Sequence, residues 1–258
     1  MSAPDRVGRA AGAVAGAVLH LWGVAALVGA WQLWVSVHGY NAIVMPTPAE
    51  VASDLVHHLS AYAPQLAFTV GLSLVGLAAG MVLGAVLAVA IWVSPVLSGL
   101  STPMALVLRA VPVLAMIPVL GRLLGYNDRT EAIVAALVCF FPAFVMTSAG
   151  LRRPPAGSRD VAAVLGARRS GLLRHVLLPG ALPGFLVALR LTAPLSVLAA
   201  MLAEYLMGTR GLGYLLATSA QLFQTSREWG AAVLGTVLSV ALFLAAGRLE
   251  RAAGRRWA

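Results

Sequence analysis

The chain has 258 residues, of which 60% are hydrophobic and 10% charged, with a mean hydropathy of +0.89. A soluble domain averages about 25% charged residues, so too few polar side chains exist to cover a water-exposed surface, and a soluble globular protein is excluded. The formal net charge of +9 comes from residues at the ends of apolar segments, which points to a bilayer and not to nucleic acid.

All 18 basic residues are arginine. A Walker A loop needs a lysine, so the chain cannot bind ATP through one. The single cysteine, Cys139, lies inside an apolar run and has no partner for an internal disulfide. It reads as a small buried or lipid-facing residue. Near the N-terminus, Arg6 and Arg9 precede an apolar stretch, as in a signal peptide. The run continues through Trp31, Leu33, Trp34 and Val37. That exceeds a signal core of about 7–15 residues, so it reads as a retained first span.

A helical span needs about 20 apolar residues. On that measure spans are expected over 13–37, 66–93, 103–124, 132–151, 182–207 and 229–247. Between the second and third, Ser94-Pro95 and Ser101-Thr102-Pro103 supply breaks, because proline removes a donor and disfavours helix in the residue before it. Gly76, Gly80 and Gly84 recur every four residues in the second span. Such a stripe of small residues lets two helices approach closely in lipid. The expected fold is all-α, a polytopic membrane protein of about six transmembrane helices forming a single domain over 1–258.

Six spans place both termini on one side. Arg6, Arg9, the six arginines of the loop 152–179, and Arg248, Arg251, Arg255 and Arg256 then share a face, against Arg122, Arg129, Arg210 and Arg227 on the other. The positive-inside rule makes the first face cytoplasmic. The long loop therefore faces the cytosol.

That loop carries its own helix signals. Pro154-Pro155 ends the preceding span, Ser158 is a candidate N-cap, and Asp160 falls in the first turn, where an anion meets the positive end of the helix dipole. A short helix is expected over 159–165, with Gly166 at its C′ position. A second is expected over 167–177, stopped near Pro179. The first would present Val161, Ala162, Val164 and Leu165 to something other than lipid. From these residues alone, a docking helix and a basic hairpin lying on anionic headgroups both fit.

Asp160-Val161-Ala162, Gly166, Val176, Leu178 and Pro179 resemble, at matching spacing, the "EAA" loop of permeases from binding-protein-dependent ABC importers of type I. Two positions depart from that pattern, with Asp for Glu and Val for Ala. Several further segments look like that family, the first three of them like its nitrate/sulfonate/taurine branch. These are Met45-Pro46-Thr47-Pro48, Leu108-Arg109-Ala110-Val111-Pro112, Ile117-Pro118 with Gly125, Phe141-Pro142, Gly150-Leu151-Arg152, Ala203-Glu204 and Gly211-Leu212-Gly213-Tyr214. The resemblance implies a transport subunit of a bacterial inner membrane with both termini cytoplasmic. Its implied partners are cytosolic ATP-binding subunits, an extracytoplasmic solute-binding protein and a second permease copy, a homodimer being favoured. ATP and magnesium would sit on the partner ATPase, with no cofactor on this chain. Asp160, Val161, Ala162, Leu165, Gly166, Val176, Leu178 and Pro179 would form the ATPase-coupling element.

Ionisable residues inside spans are costly and mark functional positions. Arg109 opens the third span and either snorkels to headgroups or lines an inner vestibule. Arg190 lies early in the fifth span and reads as another snorkelling side chain. Glu204, about 21 Å further along the helix, either pairs with an arginine or helps form an outer gate. Arg122 is either an interfacial anchor or an attractor for an anion. His20, His38, His57, His58 and His175 are scattered, no H-E-x-x-H occurs, and no catalytic or metal-binding constellation emerges. The competing reading, a stand-alone channel or secondary transporter, prefers paired intramembrane acids, which the span assignment does not supply.

Overall fold

The computed structural model describes residues 22–94, 96, 97, 99, 112–152, 157–164 and 166–254. Helices and turns account for all regular structure among them. In chain order these are α1 (22–38), α2 (Pro48–His57), α3 (Leu59–Val93) and α4 (Ile117–Leu124, entered through a 3₁₀ turn at Val113–Met116). Then come α5 (Asp128–Arg152), α6 (Ser158–Val164), α7 (Arg169–Met207), α8 (Leu212–Gln221) and α9 (Thr225–Gly254).

Among the described residues, α3, α5, α7 and α9 are each long and apolar enough to cross a bilayer. The helix α1 and the apolar stretch Val113–Leu124 fall where the first and third spans are expected, and the remainder of those two spans lies outside the described residues. The span edges move outward. α3 begins seven residues ahead of position 66, and α7 begins at Arg169 instead of near 182.

The chain divides into two compact units. One joins the described part of Met1–Leu59 to Ser219–Gly230. There the Trp31 indole N–H donates to the Pro46 carbonyl at 3.1 Å and the ring stacks on Trp229 at 4.9 Å. Thr225 Oγ1 donates to the Ile43 carbonyl at 2.8 Å, and Arg227 pairs with Asp54 at 3.5 Å. Sequence reasoning passed over α2, although Thr47-Pro48-Ala49-Glu50 spells its start. The Glu50 amide donates to Thr47 Oγ1, the Thr47 amide donates to the Glu50 carboxylate at 2.7 Å, and Pro48 stands in the first turn. This is a complete capping box.

The other unit, Ser60–Thr218 with the described part of Ala231–Ala258, is the helical bundle. Its interior is built from small residues: Ala135, Ala143, Ala188, Ala193, Ala199, Ala200 and Ala203 are buried, while Val75, Val82, Val86, Leu191, Leu195 and Leu198 are exposed. Lipid is as apolar as leucine, so burial alone does not drive helices together there. Close van der Waals approach does, which selects small side chains at the contact. Gly76, Gly80 and Gly84 sit against α5. A Cβ on Gly80 would lie 2.7 Å from the Cys139 Cβ, and one on Gly84 would lie 2.6 Å from the Phe140 carbonyl oxygen and 2.8 Å from the Ala143 Cβ. Leu77 and Met81 of α3, Cys139 and Ala143 of α5, Ala188 and Ala193 of α7, and Ala246 of α9 form one cluster.

Arg190 departs from the snorkelling expectation. Its Nη1 lies 3.3 Å from Glu250 Oε2 on α9, and its guanidinium stacks 4.6 Å over Phe243. An internal partner satisfies the charge where the helix neighbour supplies one.

Candidate functional site

Two groups of the residues singled out above lie on α7 and the segments flanking it. The first is the hairpin made by α6 and the start of α7. The φ of Gly157 is +76°, and its carbonyl accepts from the Val161 amide at 3.0 Å. Gly157 therefore occupies the cap position expected for Ser158, which is the first helical residue. The positive φ turns the chain into the helix one residue early. Asp160 is the third residue of α6, within its first turn. At the other end Gly166 has φ +64°, and the Ala167 amide donates back to the Ala162 carbonyl at 2.9 Å. This is the Schellman closure, and it needs a left-handed residue that glycine adopts without strain.

The short helix buries Ala162 and leaves Val161 59% and Val164 87% exposed. Leu165 lies outside the described residues. A groove of about 490 Å³ runs between α6 and the start of α7, lined by Val161, Ala162, Gly171, Leu172, His175 and Val176. On its far side Leu172, Leu173, Val176 and Leu177 pack against Ala88 and Ile91 of α3 and Phe144 and Leu151 of α5.

Pro179 does not stop the second helix. α7 runs unbroken from Arg169 to Met207. Residues Leu173–Leu177 form a π-turn, and the Leu178 amide reaches back five residues to the Leu173 carbonyl at its end. A proline in a regular helix would clash with the carbonyl four residues earlier and leave it unpaired. The wider π-turn just before Pro179 relieves that clash locally. Val176 thus joins the apolar cluster, Leu178 is exposed, and Pro179 lies within α7.

The second group surrounds Glu204 near the other end of α7. Its side chain is fully buried. The carboxylate accepts from Thr69 Oγ1 of α3 at 2.8 and 2.9 Å and from the Gly213 amide at 2.8 Å. Thr69 Oγ1 also accepts from the Leu212 amide at 2.8 Å, and Gln65 Oε1 accepts from the Gly211 amide at 2.6 Å. Glutamate, threonine and glutamine together hold three successive backbone amides of the turn between α7 and α8. Gly211 has φ +99°, and a side chain there would run into the Glu204 carboxylate. A Cβ on Gly213 would overlap the Met201 carbonyl. These contacts replace the arginine pairing that was one of the two expected roles of Glu204. Arg109 falls outside the described residues, and Arg122 is exposed in the last turn of α4.

Sequence reasoning missed Glu131. It is 2% exposed, within electrostatic reach of Glu204, and its Oε2 has no hydrogen-bond partner. Two buried acids thus stand in spans where no pair was expected. Its neighbour Asp128 is half-buried and paired with Arg210, whose guanidinium also lies 4.4 Å over Phe68. The signal was present: an acid one helical turn after Asp128 returns to the same helix side, further into an apolar run. Among the described residues no group of three or more His, Cys, Asp and Glu is placed to hold a metal. The arrangement offers a short helix with exposed valines at one end of α7 and a rigid polar anchor at the other.

Residues 80–258, which include both groups except Gln65 and Thr69, match the family of binding-protein-dependent transport system inner membrane components. The chain belongs to this family. It is similar to the riboflavin transport system permease protein RibX of Chloroflexus aurantiacus, at 30% identity over 86% of this chain and 83% of that protein. It is also similar to the putative aliphatic sulfonates transport permease protein SsuC of Bacillus subtilis, at 28% identity over 83% of this chain and 78% of that protein. The taurine transport system permease protein TauC of Escherichia coli is 25% identical over 88% of this chain and 86% of that protein. In fold it resembles a chain of the inward-facing MetNI methionine ABC transporter, with a TM-score of 0.65, 20% identity, and coverage of 76% of this chain and 97% of that one. The permease is thus an integral, multi-pass inner-membrane component of an ABC importer, in the nitrate/sulfonate/taurine branch of type I.

Proposed function

We propose that this permease forms the solute pathway of an importer whose ATP is hydrolysed on separate cytosolic subunits, and that the α6 hairpin is where those subunits dock. The observation that carries this reading is a seven-residue helix, closed at both ends by glycine turns, that exposes Val161 and Val164, while the start of α7 next to it packs into the bundle. So short a helix is marginal alone. It is held from one side and leaves its apolar face for a partner. On this reading Asp160 and Ala162 within the helix, Gly166 at its closing turn, and Val176, Leu178 and Pro179 within α7 form the coupling element. A solute-binding protein delivers the cargo on the opposite face, and a second permease copy, in a homodimer, completes the pathway. Both termini lie in the cytoplasm, as the arginine distribution favours.

The cargo class is a small anion or heterocycle: a sulfonate, taurine, nitrate or a pyrimidine precursor. The names of the relatives and the branch motifs support it. Arg109 and Glu204 are the candidate pathway or gate residues. The three amides held through Glu204, Thr69 and Gln65 support a role for Glu204 in fixing the α7–α8 turn.

Reconstitution with the neighbouring ATPase and binding protein tests the reading. Gly166→Val is expected to abolish co-purification of the ATPase and ATP-dependent uptake while the permease still folds. Intact uptake in that variant would sink the docking role. A stand-alone transporter would draw on the Glu131–Glu204 pair, and it predicts uptake into vesicles without ATP.

A further inference from the structure

One contact between the hairpin and α3 lies outside the docking surface. Arg169 is the first residue of α7, just past the Gly166 turn. Its guanidinium stacks over the Trp92 ring, with Cζ 5.3 Å from the centroid, and its Nη2 donates to the Trp92 carbonyl at 3.4 Å. Trp92 is the penultimate residue of α3.

The chemistry suits the place. The last turn of a helix carries carbonyls without intrahelical partners and the negative end of the helix dipole. α3 has no basic residue of its own in that turn. The cation is supplied by the hairpin, and the indole face beside the carbonyl holds it a second time. Beneath this pair lies the cluster in which Leu172, Leu173, Val176 and Leu177 meet Ala88 and Ile91. The apolar cluster holds the two helices together through many small, non-directional contacts. The Arg169–Trp92 contact is directional, and it joins the end of α3 to the residue just beyond the turn of α6.

We infer that Arg169 and Trp92 form a strut that makes α3 follow the α6 hairpin, so that the ATPase cannot close without moving the span. The inference rests on the docking reading of α6. Arg169 is a positioning residue, acting through Trp92 on α3. Its side chain is exposed, so its removal leaves the packed cluster in place. Without the strut the hairpin yields to the ATPase alone, and hydrolysis no longer waits on the bundle.

The test uses the full permease with its ATPase in proteoliposomes, with ATP–Mg and no solute-binding protein. Basal hydrolysis is measured beside the melting temperature and ATPase co-purification. Arg169→Ala is expected to raise the basal rate at least 5-fold with unchanged melting and co-purification. Arg169→Lys, which keeps a cation, and Trp92→Phe, which keeps a ring face, are expected to stay within 2-fold of the unaltered protein. A contact that only supported the fold would lower rate and melting temperature together. Basal hydrolysis in Arg169→Ala that stays within 1.5-fold of the unaltered protein, or falls, overturns the strut while docking stands. Failure of the unaltered permease to retain the ATPase overturns the docking reading, and the strut with it.

Discussion

The two ends of α7 are built on opposite terms. Around Glu204 the polar groups close on one another: a carboxylate, a hydroxyl and an amide oxygen take three successive backbone amides, and glycines at 211 and 213 leave no room for anything else. Around α6 the backbone is closed by glycine turns, but the side chains are not, since Val161 and Val164 stay exposed. The first end is finished by its own residues and is rigid, because every buried partner would be left unpaired by movement. Under the docking reading proposed above, the second becomes complete only against another surface. Substitutions at the two ends are therefore expected to separate stability from coupling.

The largest effect is expected at the closed end. Gly211→Val adds a side chain at positive φ that collides with the Glu204 carboxylate, and overpacking with loss of the buried hydrogen bonds is expected to cost more than about 3 kcal/mol. Thermal melting of the detergent-solubilised protein measures it, and a melting temperature equal to that of the parent would break the comparison. Glu204→Leu comes next, at roughly 1–3 kcal/mol for each amide or hydroxyl left without an acceptor. Glu204→Gln keeps one acceptor oxygen and should recover most of the loss in the same assay. Gly80→Ala should follow, at about 1–3 kcal/mol, because its methyl meets Cys139 and the Ala136 carbonyl across the α3–α5 contact. The smallest change in stability belongs to the open end. Val164→Ser should shift stability by less than about 0.5 kcal/mol, yet reduce ATPase co-purification at least tenfold. If it melts as early as Gly211→Val, α6 is part of the bundle's fold and not a surface awaiting a partner.

Legibility in the sequence followed the same division. Features written in local spacing were readable: the four-residue glycine stripe encodes one helix face, and Gly166 at the end of a short polar helix encodes a left-handed turn. The capping box at Thr47 was equally local but lay outside the apolar runs that framed the reading. What depended on distant chain was not readable. Glu204 is held by Thr69, which is 135 residues away, and no spacing rule connects them. Arg190 looked like a snorkelling side chain because Glu250 is 60 residues off. Pro179 misled for a different reason. α7 also continues through Pro183 and Pro194, since membrane helices tolerate proline where neighbouring groups re-satisfy the freed backbone, and the π-turn before Pro179 leaves no mark in composition.

That π-turn has a geometric consequence for the hairpin. In a regular helix each residue advances about 100° around the axis. Five-residue closure at Leu173–Leu177 therefore sets the azimuth at which α6 leaves the bundle, independently of the face that α7 turns toward its neighbours. Deleting one residue from this turn would leave every span, cap and exposed valine in the chain. It would swing the hairpin by about 100°, so the permease would present a correct surface in the wrong direction.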